Sequence, residues 1–139
     1  MAIRAEFTRD LLTDDEMIDA QHKELFEKIN ALFESCEGGK GAEETMNTLN
    51  YLVDYTKFHF GAEEKLQEEI DFPDINQHKT EHRRLIEAVD DLKAKLEKEG
   101  ATTEFQKELN ERMVQWLYGH IRGYDRAVAA YKKYKLFTV

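Results

Sequence analysis

Apolar residues recur every three or four positions through four long blocks of this chain, and that period admits little besides amphipathic helices. The first block opens at Thr13-Asp14-Asp15-Glu16, which reads as a capping box: Thr13 accepts backbone N–H groups and Glu16 reaches back. Its stripe is Ile18, His22, Leu25, Phe26, Ile29, Leu32 and Phe33, and Glu37-Gly38-Gly39-Lys40-Gly41 ends it. The second block runs from about Ala42 to Ile70, with Met46, Leu49, Leu52, Val53, Tyr55, His59, Glu63 and Leu66 on its stripe. Asp71-Phe72-Pro73-Asp74 breaks the pattern, since proline suits the first turn of whatever follows. The third block carries Ile75, His78, His82, Leu85, Ile86, Val89, Leu92 and Leu96 and ends near Glu99-Gly100. Thr103-Glu104-Phe105-Gln106 reads as a second capping box, followed by Leu109, Met113, Trp116, Leu117, His120, Ile121, Tyr124, Val128 and Tyr131.

Four such helices joined by short turns predict an all-α, up-down-up-down four-helix bundle, one domain over residues 1–139. Sustained alternation of apolar and polar residues is absent, so strands have little support. Residues 1–12, with Phe7, Leu11 and Leu12, are expected as an N-terminal arm packed across one end of the bundle. The tail Tyr131-Lys132-Lys133-Tyr134-Lys135-Leu136-Phe137 reads as a last turn plus an extension.

Composition narrows the function. Of 139 residues 41% are hydrophobic, enough for one core without disulfides, and a single Cys can form no internal bridge. A thiol economy of that kind suits a reducing compartment, and no apolar run or N-terminal signal suggests a membrane or secretion. The expectation is a soluble, cytoplasmic protein, a monomer or weak oligomer. A formal charge of −9 argues against nucleic acid as the main partner.

The five histidines are the informative residues. His59 and Glu63 are four apart, as are His78 and His82, so each pair stacks on one helix face. His120 and Asp125 are five apart, roughly 140° around an ideal helix. They can still flank one interior site, with Leu117, Ile121, Tyr124 and Val128 filling the wedge between them. A lone histidine on an apolar stripe is usually a core residue with a hydrogen-bond partner. Here the placement is joint. In an antiparallel bundle the early turns of helices one and three share an end with the later turns of helices two and four. His22, His59, Glu63, His78, His82, His120 and Asp125 therefore reach similar depth in one half of the bundle.

Five imidazoles and two carboxylates converging suit a dinuclear metal centre. One tetrahedral zinc needs about four ligands and strands the rest. Imidazole-rich ligation without thiolate suits iron, with zinc, copper or cobalt as candidates in vitro. If three histidines serve one metal, two serve the other, and both carboxylates and a solvent oxygen bridge, the second metal keeps an open position.

The chain resembles the hemerythrin family, most closely its single-domain bacterial members. The resemblance rests on Ile18-Asp19-Ala20-Gln21-His22, His59-Phe60-Gly61-Ala62-Glu63-Glu64, Phe72-Pro73 with His78-Lys79-Thr80-Glu81-His82, and Trp116-Leu117-Tyr118-Gly119-His120 running to Asp125. It implies a non-haem diiron centre with a bridging hydroxo or oxo group. By resemblance, His78, His82 and His120 hold the filled iron, His22 and His59 the open one, and Glu63 and Asp125 bridge. It also implies reversible O2 binding, for carriage, storage or sensing, rather than catalysis, so no residue is assigned as catalytic. The alternative on the same site is a peroxide or nitric oxide reductase served by a redox partner protein. A third reading is an iron-responsive module that orders for a partner. The chain departs from the family pattern at Phe7, at Asp14-Asp15, at Gln67 where methionine is common, and at the bulky Tyr124. A more polar pocket would favour oxidation over reversible carriage.

Other motifs carry less. Ferritin-like diiron enzymes place Glu three residues before His, and here those positions are Asp19, Thr56, Ile75, Lys79 and Leu117. No His-Glu-x-x-His zinc signature occurs, and Gly38-Gly39-Lys40-Gly41 lacks the strand and the Ser or Thr of a phosphate loop. Cys36 reads as a partly exposed thiol raised in pKa by Glu34 and Glu37. Lys132, Lys133 and Lys135 read as complements of a helix C-terminus rather than a docking patch, and Glu64, Glu68 and Glu69 as a solvated face.

Overall fold

A computed structural model describes residues 4–39 and 41–138, with side chains as far as Lys135. Met1–Ile3 of the arm, Lys40 of the glycine loop, Val139 and the side chains of Leu136 and Phe137 lie outside the described residues. Three uninterrupted helices come first: α1, Glu16–Glu37; α2, Ala42–Glu69; and α3, Ile75–Glu99. A fourth helix follows, α-helical over Thr103–Leu109, Gln115–His120 and Arg126–Thr138, with π-helical turns at Asn110–Val114 and Ile121–Asp125. Among the described residues there is no strand, and the four helices with their N-terminal arm form the expected bundle. The tail is helical to Thr138 rather than an extension.

Both helix starts lie beside the expected caps. Asp15, not Thr13, caps α1, its Oδ1 accepting the Ile18 N–H at 3.0 Å. Asp14 adopts a left-handed φ of 71°, which delays the helix until Glu16. The Thr13 hydroxyl instead accepts from the Asp15 N–H at 3.1 Å and donates to Asp19 at 2.8 Å. In the fourth helix Thr102, not Thr103, accepts the Phe105 N–H at 3.0 Å. Each sequence offered two neighbouring side chains able to cap, and the one three residues before an available N–H took the role.

The arm lies lengthwise along α1 rather than across an end. Ala5 exchanges two hydrogen bonds with the Asn30 amide, at 2.7 and 2.9 Å. The Glu6 N–H donates to the Tyr118 hydroxyl at 2.9 Å, and Phe7 meets Phe26 edge-on at 5.5 Å. Leu11 is fully buried, and Arg122 reaches back to Asp10 at 2.6 Å. The arm thus seals the seam between α1 and the fourth helix.

The interior has two apolar parts of unequal size. The larger gathers Leu25, Ile29, Phe33, Leu52, Leu92 and Phe105 with their neighbours. The smaller is Ile18, Leu66 and Val128, flanked by Met17, Ile70 and Phe72. Every helix passes from one to the other through a polar layer: His22 on α1, His59 and Glu63 on α2, His78 and His82 on α3, His120 and Asp125 on the fourth. Burying each large side chain contributes roughly 1.5–3 kcal/mol, so apolar packing on both sides holds the polar layer in place.

Candidate metal centre

All seven polar residues of this layer are 4% exposed or less. Their donor atoms fall into two groups, each with its atoms within 4.8 Å of one another. One group is His22, His59, Glu63 and Asp125; the other is Glu63, His78, His82, His120 and Asp125. The carboxylates belong to both because each turns one oxygen to either side. Glu63 Oε1 faces His22 Nε2 at 3.4 Å and touches His59 Nε2, while its Oε2 lies 3.6 Å from His78 Nε2 and 4.0 Å from His82 Nε2. Asp125 Oδ2 lies 2.9 Å from His22 Nε2, and its Oδ1 lies 3.0 and 3.2 Å from the Nε2 atoms of His78 and His120.

Few of these contacts are hydrogen bonds. Nε2 of His22, His59 and His82, both oxygens of Glu63 and Oδ1 of Asp125 are buried without a hydrogen-bond partner. Leaving such a group unsatisfied costs about 1–3 kcal/mol, so a chain that orphans six together needs something else among them. Two donors on one six-coordinate cation sit roughly 3 Å apart, the spacing several of these atoms show. The donor set fits two cations.

The charges point the same way. Burial pushes His22 down, but the carboxylates of Asp125 and Glu63 beside it outweigh burial and hold it up at about 9. Burial and the neighbouring charges of His78 and His120 take His82 down to about 2. Burial opposes ionisation of Asp125, yet the surrounding imidazoles hold it well below the ordinary carboxylate range. Five imidazoles and two carboxylates converge their lone pairs on one small volume, an arrangement that cations would satisfy by taking the place of protons.

Backbone geometry explains how His120 and Asp125 meet. The π-helical turn Ile121–Asp125 inserts one extra residue, so positions five apart fall on one face. The expected wedge of side chains between them is not needed. Ile121 and Val128 are buried in the two apolar parts, and Tyr124 lies half-buried against the His120 ring, 5.0 Å between centroids and 14° from parallel. Its hydroxyl accepts from Gln77 at 3.2 Å, away from the donor atoms.

A second ring of residues orients the first; Gln67 stands out in the sequence as a polar departure, but none of the ring is marked there as a partner of a histidine. Nδ1 of His59 lies 2.8 Å from Gln21 Oε1, and Nδ1 of His82 lies 2.8 Å from Glu64 Oε2. Glu64 therefore belongs to the site and not to the solvated face assigned to it, and burial raises its pKa. Fully buried Gln67 sets its amide nitrogen 3.0 Å from His78 Nδ1 and leaves Oε1 without a partner. A half-turn of that amide makes Oε1 the acceptor for an Nδ1–H, the tautomer that frees Nε2 for a metal. Gln21 and Glu64 each adjoin a donor in sequence, and a histidine bound through Nε2 needs an outer acceptor; that was the available signal. Stacking completes the setting: Phe60 lies 3.8 Å from the His82 ring and 3° from parallel, and Trp116 lies 4.3 Å from His120.

The remaining singled-out residues lie elsewhere. Cys36 is half-buried beside the larger core, and burial first, then Glu37, pushes its thiol up to about 11. Lys132, Lys133 and Lys135 pair with Asp15, Asp14 and Asp71 at 2.7, 3.8 and 3.6 Å. Among the described residues no helix is long and apolar enough to cross a membrane.

Residues 13–131 match the family described as Hemerythrin HHE cation binding domain. Similar proteins include the bacteriohemerythrin of Stenotrophomonas maltophilia (strain R551-3), 32% identical over 120 residues that span 86% of this chain and 76% of that protein. The bacteriohemerythrin of Pseudomonas paraeruginosa (strain DSM 24068 / PA7) is 34% identical over 116 residues, 84% of this chain and 73% of its own length. A hemerythrin-like protein of Naegleria fowleri is 32% identical over 108 residues, 78% of this chain and 76% of its own.

Proposed function

The chain belongs to the hemerythrin family, and from that premise we propose that it is a non-haem diiron protein that binds O2 reversibly. The reading takes residues 1–139 as one such domain. His78, His82 and His120 would hold one iron, His22 and His59 the other, and Glu63 and Asp125 both. The observation that supports it most is the unequal division of donors: three imidazoles on one side of the carboxylates, two on the other. The His22–His59 side has one side-chain donor fewer, which leaves room there for a small ligand. Two ferrous ions held there would supply the pair of electrons on which reversible O2 binding draws.

The chain's own contribution is placement and exclusion. Gln21, Glu64 and Gln67 fix three imidazole rings through their outer nitrogens. Ile18, Leu66 and Val128 close the site on one side and Phe60, Leu117 and Ile121 on the other, keeping bulk water from the donor atoms. Two polar departures from the family pattern engage elsewhere, Tyr124 with Gln77 and Asp15 with the start of α1. That favours carriage over turnover.

Anaerobic reduction followed by air should produce a visible charge-transfer absorption that disappears on deoxygenation and returns on repeated cycling. Oxidation within one cycle contradicts the reading. The reductase alternative has one feature in its favour, the buried amide of Gln67 beside His78. Multiple-turnover consumption of peroxide or nitric oxide with a reductant supports it instead.

A further inference from the structure

One cleft on the surface reaches the edge of the polar layer. It has a volume of about 430 Å³, and His82 and Phe60 form part of its lining. The Phe60 ring stacks on that of His82, so a molecule seated there is one aromatic layer from a cluster imidazole. Around this apolar floor stand Lys57, Lys79 and Arg83, against a single lining carboxylate, Glu64. Glu64 turns inward, accepting from His82 Nδ1 at 2.8 Å, which leaves the cations to set the sign of the rim. Lys79 also touches Glu68 at 3.3 Å, whereas Lys57 and Arg83 make no ion pair among the described residues.

The contrast with the rest of the molecule is informative. The chain carries −9, and the lysines at the far end of the fourth helix are each matched to an aspartate. The groove beside Tyr124, which also approaches His120, is lined by Asp74 and no cation. A groove against the arm, lined by Phe7, Arg9 and Lys23, also carries two cations, but its lining holds no residue of the polar layer. The Lys57–Lys79–Arg83 rim instead attracts an acidic partner to a cleft that His82 itself lines. Weak electron-transfer encounters use small interfaces with charged rims, and charge steers their approach.

Resting on the diiron reading, we propose that this cleft is the docking and electron-input surface for an acidic one-electron donor protein. Each encounter moves one electron. The donor's iron–sulfur or flavin group is oxidised by one and a ferric ion of the site is reduced to ferrous, so two encounters restore the diferrous protein. Glu64 and His82 lie on the path between the cleft and the donor atoms.

The test uses an acidic [2Fe–2S] ferredoxin and the iron-loaded, air-oxidised full chain, with iron assayed on every sample. Carbodiimide cross-linking and mass spectrometry should join ferredoxin carboxylates to Lys57 and Lys79. The second-order reduction rate should fall with rising salt. It should fall about tenfold in the Lys57→Glu/Arg83→Glu variant. A Lys98→Glu/Lys107→Glu variant, with the same change in net charge, should stay within about twofold of the parent. Cross-links centred on Lys132 and Lys133, or equal slowing in both variants, overturn the docking surface while a full iron content leaves the diiron reading intact. A chain that takes up no iron overturns both.

Discussion

Gln67 shows how one buried side chain can matter to a site it does not enter. It is fully buried, its amide meets His78 Nδ1 at 3.0 Å, and a smaller or apolar residue there leaves that nitrogen unpartnered. Outer partners of metal-bound histidines are typically worth 10–100-fold in metal affinity. Gln67→Met should therefore weaken iron retention against a chelator by about tenfold, while Gln67→Glu, which keeps an acceptor, should retain iron near the parent level. Equal retention in Gln67→Met and the parent contradicts the role. At this scale the convergence of the five histidines with Glu63 and Asp125 was legible in the sequence, and the side chains that support them were not. Histidine and carboxylate spacing marks a face, but a glutamine next to a histidine has many uses, and only the neighbouring helix shows which it takes. Glu64 illustrates the limit: a run of glutamates on α2 reads as solvated until His82 on α3 is set beside it.

Among the elements, the fourth helix departs most from an ideal form, and for a traceable reason. Phe105, Leu109, Met113, Leu117, Ile121, Asp125 and Ala129 are all buried at four-residue intervals. Six such steps cover 24 residues from 105 to 129, where six ordinary helical turns need about 22. The surplus matches the two π-helical turns, each of which takes up one extra residue and keeps the stripe on the core. This was written in the sequence as an unbroken run of four-residue steps, yet the average period of 3.6 hid it. The second π turn brings His120 and Asp125 together, so removing its extra residue should be tolerated. Deleting exposed Gly123 makes the pair four apart, still on one face, and should leave two irons bound. Deleting Gly119, upstream of the turn, rotates His120 by roughly 100° relative to the rest of the helix and should cost iron. The metal content of the two variants, measured after identical anaerobic loading, decides the matter. Loss in the Gly123 deletion with retention in the Gly119 deletion contradicts this account of the turn.

The molecule as a whole is a bundle whose apolar interior is crossed by a layer of seven buried ionisable side chains, many of whose polar atoms find no partner within the protein. The layer sits between a large apolar part and a small one, which is why the helix pattern and the histidine depth could be read together from the sequence. The arm's course could not. Its pairing with Asn30 and Tyr118 depends on side chains far along the chain, whose position follows from the assembled bundle. Two cations in the layer would relieve the orphaned donors at once and tie all four helices together, so binding and folding stability should rise together. The quantity that bears most directly on this is the iron bound per chain after anaerobic reconstitution and removal of free metal. Two are expected, shared across the His78–His82–His120 and His22–His59 groups. One iron per chain, or none, contradicts that expectation.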